Sequence, residues 1–251
     1  MQTYAVIPAR YHSTRLPGKP LLNKTGKYLV QHVYERASAA SSISHVIVAT
    51  DDARIFDAVK AFGGEAMMTS PDHATGTDRV AEVARLTDAQ AYVNVQGDEP
   101  EIDPAMIDAI AELLADDRAH IATLAVRSSD RERFFDPHAV KVVTDLDGFA
   151  LYFSRSPLPG GKKLEERAKS GAFSFLVHVG LYGFRRDILM QFAEMKQSPL
   201  EELESLEQLR ALENGYRIKV GITDHEPTGV DTPEDYRRFV EKYGKQVTAD
   251  Q

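Results

Sequence analysis

The sequence predicts an α/β fold with a mostly parallel sheet flanked by helices, and two observations support it. Short apolar runs bounded by turn residues alternate with segments of helical periodicity over the first half of the chain. This alternation is typical of a parallel sheet with helices on both faces. A hydrophobic fraction of 43% over 251 residues is enough for one large domain with a buried core. We therefore expect a single domain over residues 1–251.

Strands and helices alternate in four pairs along the first half. The predicted strands are Tyr4–Pro8, His45–Thr50, Glu65–Met68 and Ala91–Val95. The predicted helices are Tyr28–Ala40, Asp52–Phe62, Thr77–Leu86 and Pro104–Ala115. In open sheets of this kind, ligands bind beyond the carboxyl ends of the strands. The residues that directly follow each strand are therefore the first candidates for a site.

The second half predicts a smaller antiparallel insert at about 134–190. Two predicted strands, Val140–Thr144 and Phe149–Phe153, flank Asp147-Gly148, which is a strong hairpin signal. Phe175–Phe184 has the pattern of a further strand. A charged loop, predicted to be flexible, lies between them at 160–170.

A row of leucines marks the next segment. A helix is predicted from Ser198-Pro199 to about Glu213, closed by Asn214-Gly215. Its leucines recur every three residues and therefore wind around the helix: Leu200, Leu203, Leu206, Leu209 and Leu212. Such a helix needs apolar cover on several sides, which a second subunit could supply. A strand over Arg217–Ile222 and a helix over Pro233–Tyr243 are predicted after it.

Charge is distributed unevenly along the chain. The formal net charge is −8 at pH 7, which disfavours nucleic acid and anionic membranes as partners. The first 34 residues nevertheless hold no Asp or Glu and five basic residues, namely Arg10, Arg15, Lys19, Lys24 and Lys27. This local basic patch on an acidic protein indicates a small anionic ligand.

Composition excludes several kinds of site and compartment. The chain has no cysteine, which excludes disulfides, thiolate nucleophiles and Cys-ligated metals and fits a reducing compartment. No long apolar run follows a basic start at the N-terminus, and no apolar run is long enough to span a bilayer. We therefore expect a cytoplasmic protein with no membrane partner.

The first candidate site is the loop after the first strand, in AVIPARYHSTRLPGKPL. It matches neither GxGxxG nor the P-loop pattern. It offers two guanidiniums and an ammonium, from Arg10, Arg15 and Lys19, while Gly18 lets the backbone approach a ligand closely. Fixed positive charge stabilises the phosphoryl oxygens and the leaving group in nucleotidyl transfer. A solvated basic loop would explain one arginine, but three cations with no acid nearby favour a triphosphate site.

Two separated carboxylates are the candidates for a metal site. In VNVQGDEPEID a strand ends at Gln96 and Asp98 follows. A carboxylate there can hold Mg²⁺, which takes one or two protein carboxylates plus phosphate oxygens, although a turn explains the same residues equally well. In TGVDTPEDYRRF the residues after Asp231 form an ordinary helix start. Asp231 lies outside that cap and can be a second metal ligand.

Other candidate residues have weaker signals. In HATGTDRVAE, helix capping explains Thr77 and Asp78, and contact with a nucleoside is the lesser interpretation. In the predicted insert, alternation puts His178 and Tyr182 on one face, and Arg155 ends a strand. These side chains together suit an acidic, hydroxyl-rich ligand, since arginine binds carboxylates bidentately. Each of them alone is more often structural.

Seven motifs in order resemble the 3-deoxy-manno-octulosonate cytidylyltransferase (CMP-KDO synthetase) family: IPARYHSTRLPGKPL, GTDR, VNVQGDEP, LYFSRSPLP, HVGLYGF, SLEQLR and GVDTPED. The resemblance extends from about Val6 to Phe239. It implies transfer of CMP from CTP to the anomeric hydroxyl of 3-deoxy-D-manno-octulosonate (KDO), an acidic eight-carbon sugar. The products would be CMP-KDO, for lipopolysaccharide or capsule biosynthesis, and pyrophosphate. It also implies the nucleotide-diphospho-sugar transferase fold, Mg²⁺, and a homodimer whose antiparallel insert binds the sugar and dimerises.

The resemblance further implies a role for individual residues. The catalytic residues would be Arg10, Lys19, Asp98 and Asp231, of which Asp98 and Asp231 would hold Mg²⁺. The nucleotide would be bound by Arg10, Arg15, Lys19, Gly76, Thr77, Asp78 and Gln96. The sugar would be bound by Gln96, Arg155, His178, Tyr182, Glu207 and Gln208.

Three alternatives stay open from the sequence. The first is a cytidylyltransferase for another acidic sugar, such as a sialic acid or an amino-substituted KDO. The second is a uridylyl- or guanylyltransferase for neutral sugars, against which Arg155 and His178 count. The third is a nucleotide-binding module without catalysis, which would not need two carboxylates as far apart in sequence as Asp98 and Asp231.

Overall fold

The computed structural model describes residues 1–13, 15–161, 163 and 173–244. Most of the predicted charged loop at 160–170 lies outside these described residues. No helix in the described part of the chain is both long enough and apolar enough to cross a membrane.

Nine strands form a single sheet in the described part of the chain. The strands are β1 Thr3–Ala9, β2 Ile43–Thr50, β3 Glu65–Met68, β4 Ala91–Asn94, β5 Ile121–Ser128, β6 Lys141–Thr144, β7 Ala150–Ser154, β8 Phe175–Arg185 and β9 Ile218–Ile222. The helices are α1 Leu29–Ser38, α2 Ala53–Ala61, α3 Gly76–Leu86, α4 Pro104–Leu113, α5 Arg131–Phe135, α6 Arg186–Glu194, α7 Pro199–Glu204, α8 Gln208–Glu213 and α9 Pro233–Tyr243. A 3₁₀ helix spans Lys19–Leu21.

The sheet is mostly parallel, as the sequence predicts. The strand order is β3-β2-β1-β4-β8-β5-β9, and β6 and β7 form a hairpin attached to β8. Strands β1 to β4 pair in parallel, as do β5 and β9, whereas β8 is antiparallel to both of its neighbours. The carboxyl ends of β1 and β4 therefore lie side by side at one edge.

Apolar residues on alternate sides of the strands build one core on each face of the sheet. Ala5 and Ile7 of β1 face helices α1, α2 and α4. Tyr4 and Val6 face α3, α6 and α8. A third, smaller cluster packs the first loop against α9 through Leu16, Leu29, Val230, Tyr236 and Phe239. This last contact brings the segment that carries Asp231 next to the basic loop.

Strand β8 differs from the prediction in its position. The predicted insert at 134–190 contains it, but β8 runs through the main sheet between β4 and β5, and only β6 and β7 lie off the main path. Apolar residues along its length are buried on the sheet, which ties the insert to the main core. Three elements were not predicted at all: β5, α5 and α6. The first six residues of β5 are all buried, so the strand lacks the alternating pattern that signals a half-exposed one.

The prediction of one helix from Ser198 to Glu213 is wrong. The segment forms two short helices, α7 and α8, because Ser205 adopts a left-handed conformation with φ 52° and ends α7. The break turns Leu206 and Leu209 into the core, with 6% and 0% exposure, and leaves Leu203 exposed at 81%. Cover on several sides of one helix is therefore not required.

Candidate functional site

A cleft of about 460 Å³ opens beyond the carboxyl ends of β1 and β4. Seven predicted site residues line it: Arg10, Arg15, Lys19, Gly76, Gln96, Asp98 and Asp231. They come from the first loop, the start of α3, the end of β4 and the segment before α9. The structure thus places the site at the edge of the sheet where the parallel strands predict it.

Two glycines allow the cleft to form around the end of β1. A Cβ atom on Gly97 would lie 2.8 Å from the carbonyl oxygen of Pro8. One on Gly76 would lie 3.2 Å from Cγ of the same proline. Gly97 therefore needs the absence of a side chain so that β4 can approach the backbone of β1 closely, whereas a side chain at Gly76 would be tight against Pro8.

Lys19 joins the two predicted carboxylates. Gly18 has a positive φ of 67° and donates its N–H to the carbonyl of Tyr11, which closes the loop and starts the 3₁₀ helix. The Nζ of Lys19 then lies 2.7 Å from Oδ2 of Asp98 and 3.1 Å from Oδ1 of Asp231. Two carboxylates that are far apart in the sequence therefore converge on one cation.

Main-chain and arginine contacts support this cluster. The N–H of Val230 donates to the carbonyl of Asp98 at 2.8 Å, which fixes the two segments to each other. Nη2 of Arg15 lies 3.2 Å from Oδ1 of Asp231. The guanidinium of Arg15 is largely exposed, so its positive charge faces the cleft entrance and water.

The donor set around Asp98 and Asp231 fits a hard divalent cation. Mg²⁺ takes one or two protein carboxylates together with substrate phosphate oxygens. Oε2 of Glu99 is buried without a hydrogen-bond partner among the described residues, and burial together with the charges of Asp98 and Asp231 raises the pKa of Glu99 to about 8. The described residues contain no cluster of three or more acidic or histidine side chains suited to a metal. Phosphate oxygens and water would complete the coordination.

The start of α3 lies on the other side of the first loop. Thr75 is the N-cap and Asp78 completes a capping box, with Thr75 N–H to Asp78 Oδ2 at 2.9 Å and Asp78 N–H to Thr75 Oγ1 at 3.1 Å. Nη2 of Arg10 donates to the carbonyl of His73 and, at 3.4 Å, to that of Thr75. Asp78 is thus a capping residue, and Arg10 is held at the cleft by the loop before the helix.

Thr77 is not a cap, and it connects α3 to the predicted sugar residues. Its hydroxyl donates to Oε2 of Glu207 at 2.8 Å. The other carboxylate oxygen of Glu207 accepts from Nη2 of Arg210 at 3.1 Å. Burial raises the pKa of Glu207. The neighbouring Gln208 is buried, and its Nε2 has no partner among the described residues.

His178 and Tyr182 lie together on β8. The His178 ring packs between the rings of Phe153 and Tyr182, with centroid distances of 5.1 and 5.2 Å. Burial lowers the pKa of His178 to about 3. Burial, and to a lesser extent the charge of Glu207, raises the pKa of Tyr182 well above its usual value. The side chains of Phe153, His178 and Tyr182 are therefore close together. The imidazole of His178 and the phenol of Tyr182 are uncharged at neutral pH.

The guanidinium of Arg155 already donates hydrogen bonds to backbone carbonyls, which the sequence does not indicate. Its guanidinium donates from Nε to the carbonyl of Glu204 at 2.8 Å and from Nη1 to that of Pro137 at 3.0 Å. Nη2 lies 3.4 Å from the carbonyl of Ser205. Two of these three bonds satisfy carbonyls at the end of α7. Among the described residues, two of the five N–H donors of the guanidinium have no partner. Its role as a carboxylate ligand stays a prediction.

Two residues at the site were missed from the sequence. Thr123, whose Oγ1 lies 2.9 Å from Nε2 of His178, was missed because β5 itself was not predicted, and no local pattern marks it. Arg79, in the quoted GTDR motif, is fully buried behind the start of α3. Its guanidinium contacts Thr69 and lies 3.4 Å from Asp51, tying α3 to the ends of β2 and β3.

Acid should destabilise the fold through His178. The folded pKa of about 3 lies below the ordinary value of 6.5, so between these values the unfolded chain binds a proton that the native protein does not. The contribution of His178 to stability is therefore present above about pH 6.5 and lost as the pH falls towards 3. Urea unfolding at pH 7 and pH 4.5 should show a larger loss for the parent protein than for His178→Gln. Equal losses would contradict this assignment.

Comparison with known proteins identifies relatives over the whole chain. A sequence model of the family described as Cytidylyltransferase matches residues 4–218. The 3-deoxy-manno-octulosonate cytidylyltransferase of Geobacter metallireducens is 55% identical, covering 98% of this chain and 99% of that protein. The protein of the same name from Thermodesulfovibrio yellowstonii is 49% identical, covering 94% and 95%.

Solved structures agree with these sequence matches. A structure of CMP:2-keto-3-deoxy-manno-octonic acid synthetase complexed with CTP is 41% identical, with a TM-score of 0.90, and the match covers 98% of this chain and all of that one. The structure of a cytidylyltransferase from Leptospira borgpetersenii is 17% identical, with a TM-score of 0.64. The match covers 96% of this chain and 87% of that one, and it shows a shared fold alone. The predicted fold class and resemblance are confirmed, and the chain belongs to the 3-deoxy-manno-octulosonate cytidylyltransferase family.

Proposed function

We propose that this protein transfers CMP from CTP to the anomeric hydroxyl of KDO, giving CMP-KDO and pyrophosphate. The observation that carries the proposal is the convergence of Asp98 and Asp231 on Lys19 within a basic cleft. A triphosphate needs both halves of this arrangement, because cations hold its oxygens and carboxylates hold its counter-ion. Membership of the family supports the choice of substrates.

The groups beyond the cleft favour an acidic, hydroxyl-rich acceptor. His178, Tyr182 and Glu207 offer hydrogen-bonding groups in a confined space next to Thr77. Nε2 of Gln96 lies 3.5 Å from the carbonyl of Gly180, which connects the cleft to this part of β8. The proposed sugar site therefore adjoins the proposed nucleotide site, as direct transfer requires.

The reaction forms a bond from the sugar oxygen to the α-phosphorus and breaks the bond from that phosphorus to the oxygen that bridges the α- and β-phosphates. That oxygen leaves as a terminal oxygen of pyrophosphate, and the hydroxyl proton passes to water or to the pyrophosphate. Arg10 and Lys19 would stabilise the negative charge that grows on the α-phosphate and the leaving group, with Arg15 as a helper. Asp98 and Asp231 would hold Mg²⁺, which supplies charge neutralisation and lowers the pKa of a nearby hydroxyl. The side chains around the acceptor hold its hydroxyl in line with the phosphorus.

We also infer a cytoplasmic homodimer whose product supports lipopolysaccharide or capsule biosynthesis. The lack of cysteine fits a reducing compartment that supplies CTP. Leu151 on β7 and Leu203 on α7 are exposed at 63% and 81%, and their burial against another copy would remove apolar surface from water. The resemblance of the motifs supports the dimer and the pathway.

A pyrophosphate-release assay with Mg²⁺ tests the proposed function. The four ribonucleoside triphosphates are each combined with KDO, its amino-substituted analogue, a sialic acid and a neutral sugar. We expect release only with CTP and KDO, and its loss when EDTA removes the metal. Release with the amino analogue or sialic acid in place of KDO would favour the alternative acidic sugars. Release with UTP and a neutral sugar, or binding of CTP without any release, would overturn the proposal.

A further inference from the structure

Strand β8 is irregular next to the proposed sugar site. Thr123 of β5 pairs with Tyr182, but the following residue, Leu124, pairs with Val179. Two residues of β8, Gly180 and Leu181, therefore have no partner on β5. Bulges of this kind re-aim the neighbouring side chains and are common next to active sites.

The hydroxyl of Thr123 contacts β8 at this bulge. The residue is completely buried. Its Oγ1 lies 2.8 Å from the carbonyl oxygen of Leu181, 3.1 Å from that of Val179 and 2.9 Å from Nε2 of His178. One hydroxyl thus contacts two carbonyls and one imidazole.

The number of protons on the Thr123 hydroxyl indicates which nitrogen of the His178 imidazole is protonated. A threonine hydroxyl has one proton, and carbonyl oxygens only accept. All three contacts can be hydrogen bonds only if the Thr123 proton is directed to the carbonyls of β8 and Oγ1 accepts the third bond. His178 is the donor of that bond, so its proton is on Nε2.

A neutral imidazole with its proton on Nε2 has a lone pair on Nδ1. Burial lowers the pKa of His178 to about 3, so the ring does not carry a second proton at neutral pH. Among the described residues, Thr123 is the hydrogen-bond partner of the His178 side chain, which leaves Nδ1 for a ligand. Such a nitrogen accepts a hydrogen bond and offers no positive charge to a carboxylate.

We propose that Thr123 is a positioning residue that holds His178 in the Nε2–H tautomer, so that Nδ1 accepts a hydrogen bond from a hydroxyl of the acceptor sugar. This inference rests on the proposed function and deepens it. His178 then recognises a hydroxyl group of the sugar and not its carboxylate. An acceptor that lacks this hydroxyl, or carries a methyl ether there, loses the contact.

Thr123→Val tests the proposal because valine has nearly the same shape and no hydroxyl. We expect the KM for KDO to rise at least about tenfold, the size expected when a buried hydrogen-bonding group loses its partner, while the KM for CTP stays unchanged. Thr123→Ser keeps the hydroxyl and should retain a parent-like KM. Thr3→Val is the matched control. Thr3 is also a buried threonine in a strand, but it lies at the amino end of β1, away from the cleft.

Nitrogen NMR of the histidine rings gives a readout that needs no substrate. The parent protein and Thr123→Ser should both show His178 neutral with its proton on Nε2, and Thr123→Val should lose this preference. A proton on Nδ1 or a charged ring in the parent overturns the proposal, as does an equal rise in both KM values. If Thr123→Val fails to fold, the tautomer in the parent and in Thr123→Ser decides the question. The NMR experiment does not depend on which sugar is the substrate. Failure of the proposed function in the pyrophosphate-release assay can therefore be distinguished from failure of this inference.

Discussion

Replacing Asp98 or Asp231 by asparagine should lower turnover by about 10³-fold or more while CTP still binds. Asparagine keeps the size of the side chain but removes the charge, and hard cations such as Mg²⁺ prefer carboxylates. The cationic residues of the first loop, which would bind the phosphates, are unchanged. Loss of a single electrostatic contact to a transition state already costs about 10²–10³-fold. Steady-state pyrophosphate release and calorimetric CTP binding measure the two effects separately.

The same variants allow a direct test of metal binding. Mn²⁺, followed by electron paramagnetic resonance in the presence of CTP, should bind more weakly to each of them than to the parent. Asp117→Asn is the matched control, because the Asp117 side chain is fully exposed and pairs with Arg185 away from the cleft. Near-normal turnover in Asp98→Asn or Asp231→Asn would remove that residue as a metal ligand.

Replacing Lys19 by methionine should have the second largest effect. We expect kcat/KM for CTP to fall about 10²–10³-fold, because a fixed positive charge next to the departing phosphates is lost. Lys19 also bridges Asp98 and Asp231, so its removal takes away a cation that competes with a metal for these carboxylates. Mn²⁺ should therefore bind more tightly to Lys19→Met than to the parent when no nucleotide is present.

The fold should tolerate this change. The side chains of Asp98 and Asp231 are 32% and 43% exposed, so water solvates their charges when the ammonium is gone. The Lys19 side chain is itself 14% exposed, and we expect its ion pairs with these partly solvated carboxylates to contribute about 1 kcal/mol to the free energy of unfolding. Lys27→Met is the control, since Lys27 lies in the same basic segment and pairs with Glu35 on the surface. Unchanged kcat/KM in Lys19→Met would contradict the role of Lys19.

Elements with a local signature could be predicted from the sequence within one or two residues. Glu65–Met68 and Pro233–Tyr243 have the predicted bounds, and Thr3–Ala9 extends the predicted strand by one residue at each end. Turn residues and periodicity are short-range features, so they need no knowledge of the rest of the chain. The position of the cleft followed in the same way, because parallel strands direct ligands to their carboxyl ends.

Elements that depend on distant contacts could not be predicted. The break at Ser205 coincides with bonds from Arg155 to the last carbonyls of α7, and these residues are about fifty positions apart. Strand β5 lacks an alternating pattern because its first six residues are all buried. Thr123 was therefore out of reach, although it contacts a histidine that the motifs had already indicated.

The sequence by itself determined the class of fold, the family, and the identity of the cations and carboxylates in the cleft. Residue type and local spacing carry that information, since charge and hydrogen-bonding capacity belong to the side chain. Only the tertiary structure decided that Asp98 and Asp231 converge on Lys19, that Thr77 bonds to Glu207, and that Thr123 contacts His178. These contacts join residues more than fifty positions apart, and packing of the sheet and its helices alone brings them within hydrogen-bonding distance.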